Sequence, residues 1–138
     1  MKRIYLNTRI DSLSRREVAR IGNMAFNWCR KYMGTNNRKH WIPKWYFSRW
    51  DSDPKVCGEY DDETNELFIY YRNLTDVREL IATIVHEWQH QLQPLRTQYY
   101  KYKGPYARNP FEIEAVQAER FYSKPLWETV KKKVNRGK

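Results

Sequence analysis

Apolar side chains recur at helical spacing in the N-terminal third of the chain. The stripe consists of Val18, Ile21, Ala25, Trp28, Cys29 and Tyr32. Ser14 and Glu17 precede it with the spacing of a capping box, in which each side chain binds the backbone amide of the other residue. Gly34 suits the end of a helix. The pattern therefore predicts an amphipathic helix over 15–33, preceded by a short strand within 3–10.

Three runs rich in aromatic and β-branched residues follow, and each is typical of a strand. They cover 45–50, 56–60 and 66–71, with turn-forming residues at 51–54 and 61–65 between them. Aromatic and β-branched side chains favour strands, whereas Asp, Asn and Pro favour turns. Because the turns are short, the pattern predicts an antiparallel meander of three strands.

A second helical stripe begins after the strands. It consists of Val77, Leu80, Ile81, Ile84, Val85, Trp88 and Leu92. Thr75 precedes the stripe and is the predicted N-cap, because its hydroxyl can accept a hydrogen bond from the first turn. Pro94 is the predicted end, because proline cannot continue a helix. The pattern predicts a long helix between these two residues.

The C-terminal third begins with a tyrosine-rich loop and continues with helical segments. The loop covers 99–109, and a helix is predicted over about 110–123. Pro125 is expected to break that helix, because an interior proline removes a backbone hydrogen bond. A further helix over 125–133 follows, and the lysine-rich end at 131–138 is predicted to be a solvated basic tail.

Length and composition place these elements in one small domain. The chain has 138 residues, of which 41% are hydrophobic and 16% aromatic, so much of the core must be aromatic. We therefore expect a single domain over 1–138. No apolar run approaches the about 20 residues of a membrane helix, and the first residues lack the apolar stretch of a signal peptide. The expected location is the cytoplasm, without secretion by a signal peptide and without a membrane partner.

The chain is strongly basic. Its 26 Lys and Arg residues against 16 Asp and Glu residues give a net charge of +10 at pH 7. Such a surface attracts polyanions, so nucleic acid is a candidate partner, although no recognition motif accompanies the charge. No oligomeric state is indicated by the sequence.

Two of the three histidines lie in one pentapeptide, His86-Glu87-Trp88-Gln89-His90. On a helix, residues i and i+4 project about 40° apart, one turn above the other. Two imidazoles placed in this way can hold one Zn²⁺ at about 2.0–2.1 Å. Glu87 then points beside the metal, where it can take a proton from a metal-activated water. The histidine face is also offset from the apolar stripe, and the pattern predicts a zinc-hydrolase site.

A zinc site of this kind needs a third protein ligand. No histidine follows His90, and His40 lies in a predicted loop, so a carboxylate is the expected ligand. Glu112 and Glu114 stand at the start of the last predicted helix. They project about 200° apart and cannot both bind one ion. Spacing alone leaves both of them open.

The motif His86-Glu87-x-x-His90 followed by Glu112-x-x-Ala115 resembles that of the gluzincins, zinc peptidases whose third ligand is a Glu on a following helix. In the size and order of its elements the chain is most similar to the minigluzincins and to small phage-encoded zinc peptidase-like proteins. The resemblance implies an α+β, zincin-like single domain. Its parts would be an N-terminal helix, a small three-stranded and mostly antiparallel sheet, an HExxH helix and a Glu-bearing helix.

The resemblance also implies roles for the site residues. His86, His90 and Glu112 would hold one Zn²⁺, with Glu114 as the alternative third ligand, and Glu87 would act as the general base. The implied activity is hydrolysis of peptide bonds in a protein or peptide substrate. A phage-encoded protein of this kind would work in the host cytoplasm or in the virion.

Zincins also bind an extended substrate along a strand beside the cleft. The strand before the HExxH helix supplies the candidate substrate residues Leu67, Phe68, Ile69 and Tyr70. Peptide hydrolysis further needs a donor that stabilises the developing oxyanion. The candidates are Tyr99, Tyr100, Tyr102, Tyr106 and Arg108.

Two other functions remain open at the level of sequence. A zinc-stabilised structural or virion-assembly component would keep the metal without proteolysis. A protease recruited to nucleic acid by its basic surface would add a polyanion partner to the enzyme. A Glu87→Gln variant that keeps zinc but loses activity would favour the enzyme over the structural component. Binding to DNA that weakens as salt rises would favour recruitment to nucleic acid.

Overall fold

The computed structural model describes residues 3–36, 42–49, 53–93 and 103–136. The helices are α1 (Arg15–Tyr32), α2 (Val77–Leu92) and α3 (Pro110–Val134), and the strands are β1 (Lys44–Ser48), β2 (Gly58–Asp61) and β3 (Glu66–Tyr70). The predicted α+β class is confirmed. Within the described ranges, no helix has both the length and the apolar character needed to cross a membrane.

α1 agrees with the prediction for its segment. Ser14 accepts a hydrogen bond from the Glu17 amide at 3.1 Å, and the Glu17 carboxylate accepts one from the Ser14 amide at 3.0 Å. Gly34 follows the helix with a φ of 85°, a conformation that favours glycine. A Cβ at Gly22 would lie 2.2 Å from the Phe47 ring, so only glycine lets β1 approach α1 this closely.

The three strands form a mixed sheet in the order β1-β3-β2, so the predicted antiparallel meander is wrong. β3 lies in the centre and pairs parallel with β1 and antiparallel with β2. β1 ends and β2 begins at the C-terminal end of β3, on opposite sides of that strand. The side-chain amide of Asn73 donates to the carbonyl oxygens of Val56 at 2.7 Å and Asp53 at 3.3 Å. These bonds fix the residues that lead into β2. A short connection in the sequence is compatible both with this arrangement and with a hairpin.

The segment before α1 docks on the start of α2 instead of forming the predicted strand. It makes a single bridge, between Arg9 and Asp76, and then a short 3₁₀ turn. Asp76 caps α2 in place of the predicted Thr75, because its carboxylate accepts from the Glu79 amide at 2.9 Å. The Thr75 carbonyl accepts from the first amide of the 3₁₀ turn at 3.0 Å. The docked segment therefore pairs with Thr75 and Asp76 at the point where α2 begins.

α2 buries its apolar stripe in the hydrophobic core. Trp88 stands between the two histidines in sequence and is fully buried. Its ring centroid lies 6.2 Å from that of Phe26 and 6.3 Å from that of Trp45. The indole N–H donates to the Gly34 carbonyl at 2.9 Å. The core face of α2 is thus fixed against α1 and β1. Pro94, the predicted helix end, lies outside the described residues.

α3 runs without interruption through Pro125, so the predicted break into two helices is wrong. Pro125 is exposed, and the carbonyl that loses its helical partner there can bind water. The Thr129 hydroxyl donates to the Pro125 carbonyl at 3.1 Å. Beyond the proline, a buried row holds the helix on the core: Leu126, Trp127, Val130 and Val134. This packing continues the helix past a residue that would end an isolated one.

The lysine-rich end is docked on the protein as far as residue 136, so the solvated tail predicted over 131–138 is wrong for this part. The Asn135 side-chain amide donates to the Ile4 carbonyl at 2.9 Å, and its oxygen accepts from the Ile4 amide at 2.8 Å. The Arg20 guanidinium donates to the carbonyl oxygens of the last two residues of α3, at 3.0 and 3.2 Å. Residues 137–138 lie outside the described ranges.

Candidate metal centre

Side chains from α2 and α3 converge on one point. His86 and His90, the histidine pair, lie one turn apart on α2, and Glu112 lies in the first turn of α3. His86 Nε2 is 3.0 Å from one Glu112 oxygen, and His90 Nε2 is 2.8 Å from the other. One donor atom from each residue lies within 4.8 Å of the others, so these three residues could bind a metal ion.

The start of α3 brings Glu112 against α2. Asn109 caps the helix by accepting a hydrogen bond from the Phe111 amide at 3.0 Å. Ala115 is fully buried at 0% exposure, and its small side chain lets the two helices pack closely. The first turn also carries the positive end of the helix dipole, which favours a carboxylate. Glu112 is only 4% exposed, a burial that a glutamate tolerates only with partners.

The donor set fits a zinc ion. Zinc binds imidazole nitrogen and carboxylate oxygen at about 2.0–2.2 Å in a tetrahedral arrangement, which places neighbouring donor atoms about 3.3 Å apart. Each histidine nitrogen lies near that distance from a different Glu112 oxygen, at 3.0 and 2.8 Å, and one donor atom from each of the three residues lies within 4.8 Å of the others. Two histidines and one carboxylate leave the fourth tetrahedral position open.

Glu114, the alternative third ligand, points away from the histidine pair. It is exposed, and its carboxylate accepts hydrogen bonds from the side-chain amides of Gln89 at 2.7 Å and Gln93 at 2.9 Å. The fold therefore brings Glu112, and not Glu114, to the two imidazoles.

A chain of hydrogen bonds orients His90. Its Nδ1 lies 2.7 Å from the side-chain oxygen of Gln93. The Gln93 amide nitrogen donates to the Phe111 carbonyl at 3.0 Å and to Glu114 at 2.9 Å, which leaves the amide oxygen to accept. In the neutral ring, Nδ1 therefore carries the proton and Nε2 keeps the lone pair that faces Glu112.

Glu119 has the equivalent position for the other ring, since its carboxylate lies 3.5 Å from His86 Nδ1. Carboxylates placed in this way fix the orientation of a ligand ring and raise its basicity. Neither Glu119 nor Gln93 belongs to the predicted site. Two spacings could have found them. Glu119 follows Glu112 by seven residues, which places both on one face of a helix, and Gln93 follows His90 by three residues at the end of α2.

Glu87 is buried beside the histidine pair, with 8% of the residue exposed. Burial raises its pKa to about 7, with a smaller contribution from repulsion by Glu112 and Glu59, while the two histidines oppose the shift. A Cβ at Gly58 would lie 3.2 Å from Glu87 Cγ and 2.9 Å from Thr83 Cγ2. Glycine at this position therefore lets β2 pass directly alongside the carboxylate. A pKa near neutrality suits a general base.

The carboxylates around the histidine pair favour protonated rings in the metal-free protein. Burial lowers the pKa of His86, but hydrogen bonds to Glu112 and Glu119 outweigh it and raise the pKa to about 10. The pKa of His90 is also raised, because its hydrogen bond to Glu112 outweighs the effect of burial. A proton and a metal ion would compete for the same nitrogen atoms, so a higher pH would favour the metal.

An open cleft of about 290 Å³ adjoins the site. His86 and Glu87 from α2, Gly58 from β2 and Tyr106 contribute to its lining. Tyr106 is therefore an oxyanion candidate that reaches the cleft, whereas Arg108 is not among the described residues that line it. The remaining predicted residues lie outside the described ranges, namely Tyr99, Tyr100, Tyr102 and the loop histidine His40.

β3 does not have the free edge that the predicted substrate-binding strand requires. It is paired with β1 on one side and β2 on the other. The candidate substrate residues of β3 therefore lie in the middle of the sheet, namely Leu67, Phe68, Ile69 and Tyr70. That prediction is wrong, because a meander places its third strand at an edge, whereas the mixed sheet places β3 in the centre. β2 is an edge strand of the described sheet, and at Gly58 it passes beside Glu87.

No protein-family model, curated protein or solved structure matches this chain. The chemistry of the site therefore has to be inferred from its own residues. These are two imidazoles and a carboxylate in contact, a second carboxylate buried next to them, and an open cleft at their side.

Proposed function

We propose that this protein is a zinc-dependent metallopeptidase that hydrolyses peptide bonds in a protein or peptide substrate. His86, His90 and Glu112 would hold one Zn²⁺, and Glu87 would act as the general base. The observation that carries the proposal is the joint position of these groups. Three potential ligands meet within 4.8 Å, and a buried carboxylate of raised pKa lies beside them at the wall of an open cleft.

The donor chemistry supports zinc over the common hard cations. Ca²⁺ and Mg²⁺ prefer about six or more oxygen ligands, whereas this site offers two imidazole nitrogens and one carboxylate. Zinc accepts such a mixed set. Three protein ligands leave one position for water or substrate, which is the arrangement of a catalytic rather than a closed structural site.

A zinc ion held here would supply Lewis acidity, which polarises a substrate carbonyl group and lowers the pKa of water. Glu87 accepts a proton from the attacking water while the water oxygen bonds to the carbonyl carbon. It then gives that proton to the amide nitrogen as the C–N bond breaks, which yields a carboxylic acid and an amine. Burial raises the pKa of Glu87 to about 7 in the metal-free protein, and the residue ends the reaction in its starting form.

Two neighbouring features would position the substrate. β2 is an edge strand next to Glu87, and the backbone of an extended peptide can pair with such an edge. Tyr106 lines the cleft with an exposed side chain. Its hydroxyl is therefore a candidate donor of the hydrogen bond to the developing oxyanion.

The test combines metal content with activity. We expect the purified protein to bind one equivalent of zinc and to cleave members of a diverse peptide library, both measured by mass spectrometry. Glu87→Gln leaves the three ligands in place and removes the base. It should keep zinc and lose about 10²–10⁴-fold in activity. Glu63→Gln changes an exposed carboxylate in the turn before β3 and should keep both properties.

Two results would contradict the proposal. Folded protein that takes up no zinc when the metal is added would exclude the metal centre. Protein that holds zinc but cleaves nothing, with wild type and Glu87→Gln behaving alike, would instead favour a zinc-stabilised structural or virion component.

A further inference from the structure

A groove of about 220 Å³ lies between α1 and the C-terminal part of α3. Its lining includes the rings of Trp28 and Tyr32, the methyl groups of Val130, and two lysines, Lys31 and Lys133. Among the described residues, none that lines the cleft beside the metal centre also lines this groove. The groove is therefore a separate surface, which the proposed peptidase activity does not use.

Four aromatic rings form a continuous row along this groove and its flank. Ring centroids are 4.8 Å apart between Phe121 and Tyr122, 6.0 Å between Tyr122 and Trp28, and 4.9 Å between Trp28 and Tyr32. These distances are typical of aromatic pairs. The two end rings are open to solvent, since Phe121 is 73% exposed and Tyr32 is 55% exposed. The row therefore exposes aromatic surface to solvent at both of its ends.

The charges beside the row are almost all positive. The groove lining contains two lysines and no carboxylate. Lys31 Nζ lies 5.2 Å from the centroid of the Tyr32 ring, so that a cation and an exposed ring are adjacent. The part of α3 from 120 to 134 carries five Lys or Arg residues and one Glu. An anionic partner with planar groups therefore complements this surface in both charge and shape.

We propose that this groove binds single-stranded nucleic acid, with bases stacked on Tyr32 and Phe121 and with phosphates paired with Lys31 and Lys133. Aromatic platforms beside positive charge bind single strands in this way, because every base has a face that can stack. An acidic protein segment would use the lysines but would leave the exposed rings without a role.

The test uses the intact protein and a fluorescein-labelled 20-nucleotide oligothymidylate, with binding followed by fluorescence anisotropy. Tyr32→Ala and Phe121→Ala each remove an exposed ring, and each should weaken binding by about 5- to 150-fold. Tyr5→Ala is the matched control, because Tyr5 is 56% exposed and lies outside the groove. It should leave the affinity unchanged.

The lysines are tested through salt dependence. Each lost phosphate contact reduces the slope of log affinity against log salt by about 0.7 for a single strand. Lys31→Ala and Lys133→Ala should each show that reduction, whereas Lys44→Ala, an exposed lysine of β1 outside the groove, should not. Removal of zinc with a chelator should leave the oligothymidylate affinity unchanged, because the groove shares no residue with the metal centre.

Three outcomes would overturn the proposal. An equal loss of affinity in Tyr5→Ala and Tyr32→Ala would mean that the ring row is not the binding surface. Duplex DNA bound as tightly as the single strand, with the ring variants unaffected, would reduce the interaction to general charge. A third result would identify an acidic protein partner instead. In that case polyglutamate would displace oligothymidylate at equal charge concentration, and Lys31→Ala would weaken the binding of polyglutamate.

Discussion

The two parts of α3 differ in almost every respect, although they belong to one continuous helix. Residues 110–119 carry three glutamates and no Lys or Arg, and Glu112 and Glu119 from this part contact the histidine pair. Residues 120–134 carry five basic residues and one acidic residue. The four buried side chains of this second part are all apolar, and Trp127 is the largest of them. The first part brings carboxylates to the histidine pair, and the second part packs apolar side chains into the core.

This difference shows how a small protein can maintain a buried polar site. Burying a charged group costs several kcal/mol unless partners compensate, so a helix that presents only carboxylates would be poorly anchored. The apolar row of the second part offsets that cost, because each large buried side chain stabilises the fold by about 1.5–3 kcal/mol. Continuity through Pro125 then lets the anchored part hold Glu112 in place.

The largest expected effect lies in the second part. Trp127 is 6% exposed, and Trp127→Ala should lower the free energy of unfolding by about 3–5 kcal/mol through the cavity it leaves. Urea denaturation of the zinc-free protein measures this change. Phe121→Ala, which removes a ring that is 73% exposed, should change stability by less than about 0.5 kcal/mol. Equal losses for the two variants would refute the assignment of packing to the second part.

The next effect lies in the first part and concerns zinc. Glu112→Ala should weaken zinc binding by more than about 100-fold, because loss of a ligand exceeds the cost of altering an outer contact. Competition with a chelator of known affinity measures the change. Glu128→Ala is the matched control on the same helix, since Glu128 is exposed and pairs only with Lys131 among the described salt bridges. Zinc lost in Glu114→Ala but retained in Glu112→Ala would show that the third ligand had been misassigned.

A smaller effect is expected from the hydrogen bonds behind the ligands. Gln93→Leu removes the acceptor for His90 Nδ1 and should weaken zinc binding by about 10- to 100-fold. Gln89→Leu is the control. Gln89 lies on the same helix as the histidine pair and donates to Glu114, but none of the described hydrogen bonds joins it to either imidazole ring. The same chelator competition applies, and indistinguishable affinities for the two variants would remove Gln93 from the site.

The smallest effect is expected at Pro125, which lies within the second part. Pro125→Ala restores a backbone donor worth about 1 kcal/mol but gives the unfolded chain more freedom, which costs about 0.4–1 kcal/mol. We therefore expect less than about 1 kcal/mol of change in unfolding free energy, measured by urea denaturation, and unchanged zinc affinity. A marked change in zinc affinity would mean that the proline sets the position of Glu112.

The local parts of the structure were predictable because helix geometry depends on near neighbours. The capping box of Ser14 and Glu17 predicted the start of α1, and the spacing of four residues predicted that His86 and His90 share one face of α2. A histidine pair of this kind is fixed as soon as the helix forms. The adjacent Glu87 is carried to the same region by the same geometry.

Features that join distant segments were decided by tertiary structure. By spacing alone, either Glu112 or Glu114 could reach the histidine pair. The packing of α3 on α2 places Glu112 against the imidazoles and Glu114 against Gln93. Packing also placed β3 between its neighbours and carried α3 through Pro125. The sequence alone determined which chemical groups are present and which of them share one face of a helix. Burial against remote segments selected among conformations that local propensity left close in free energy.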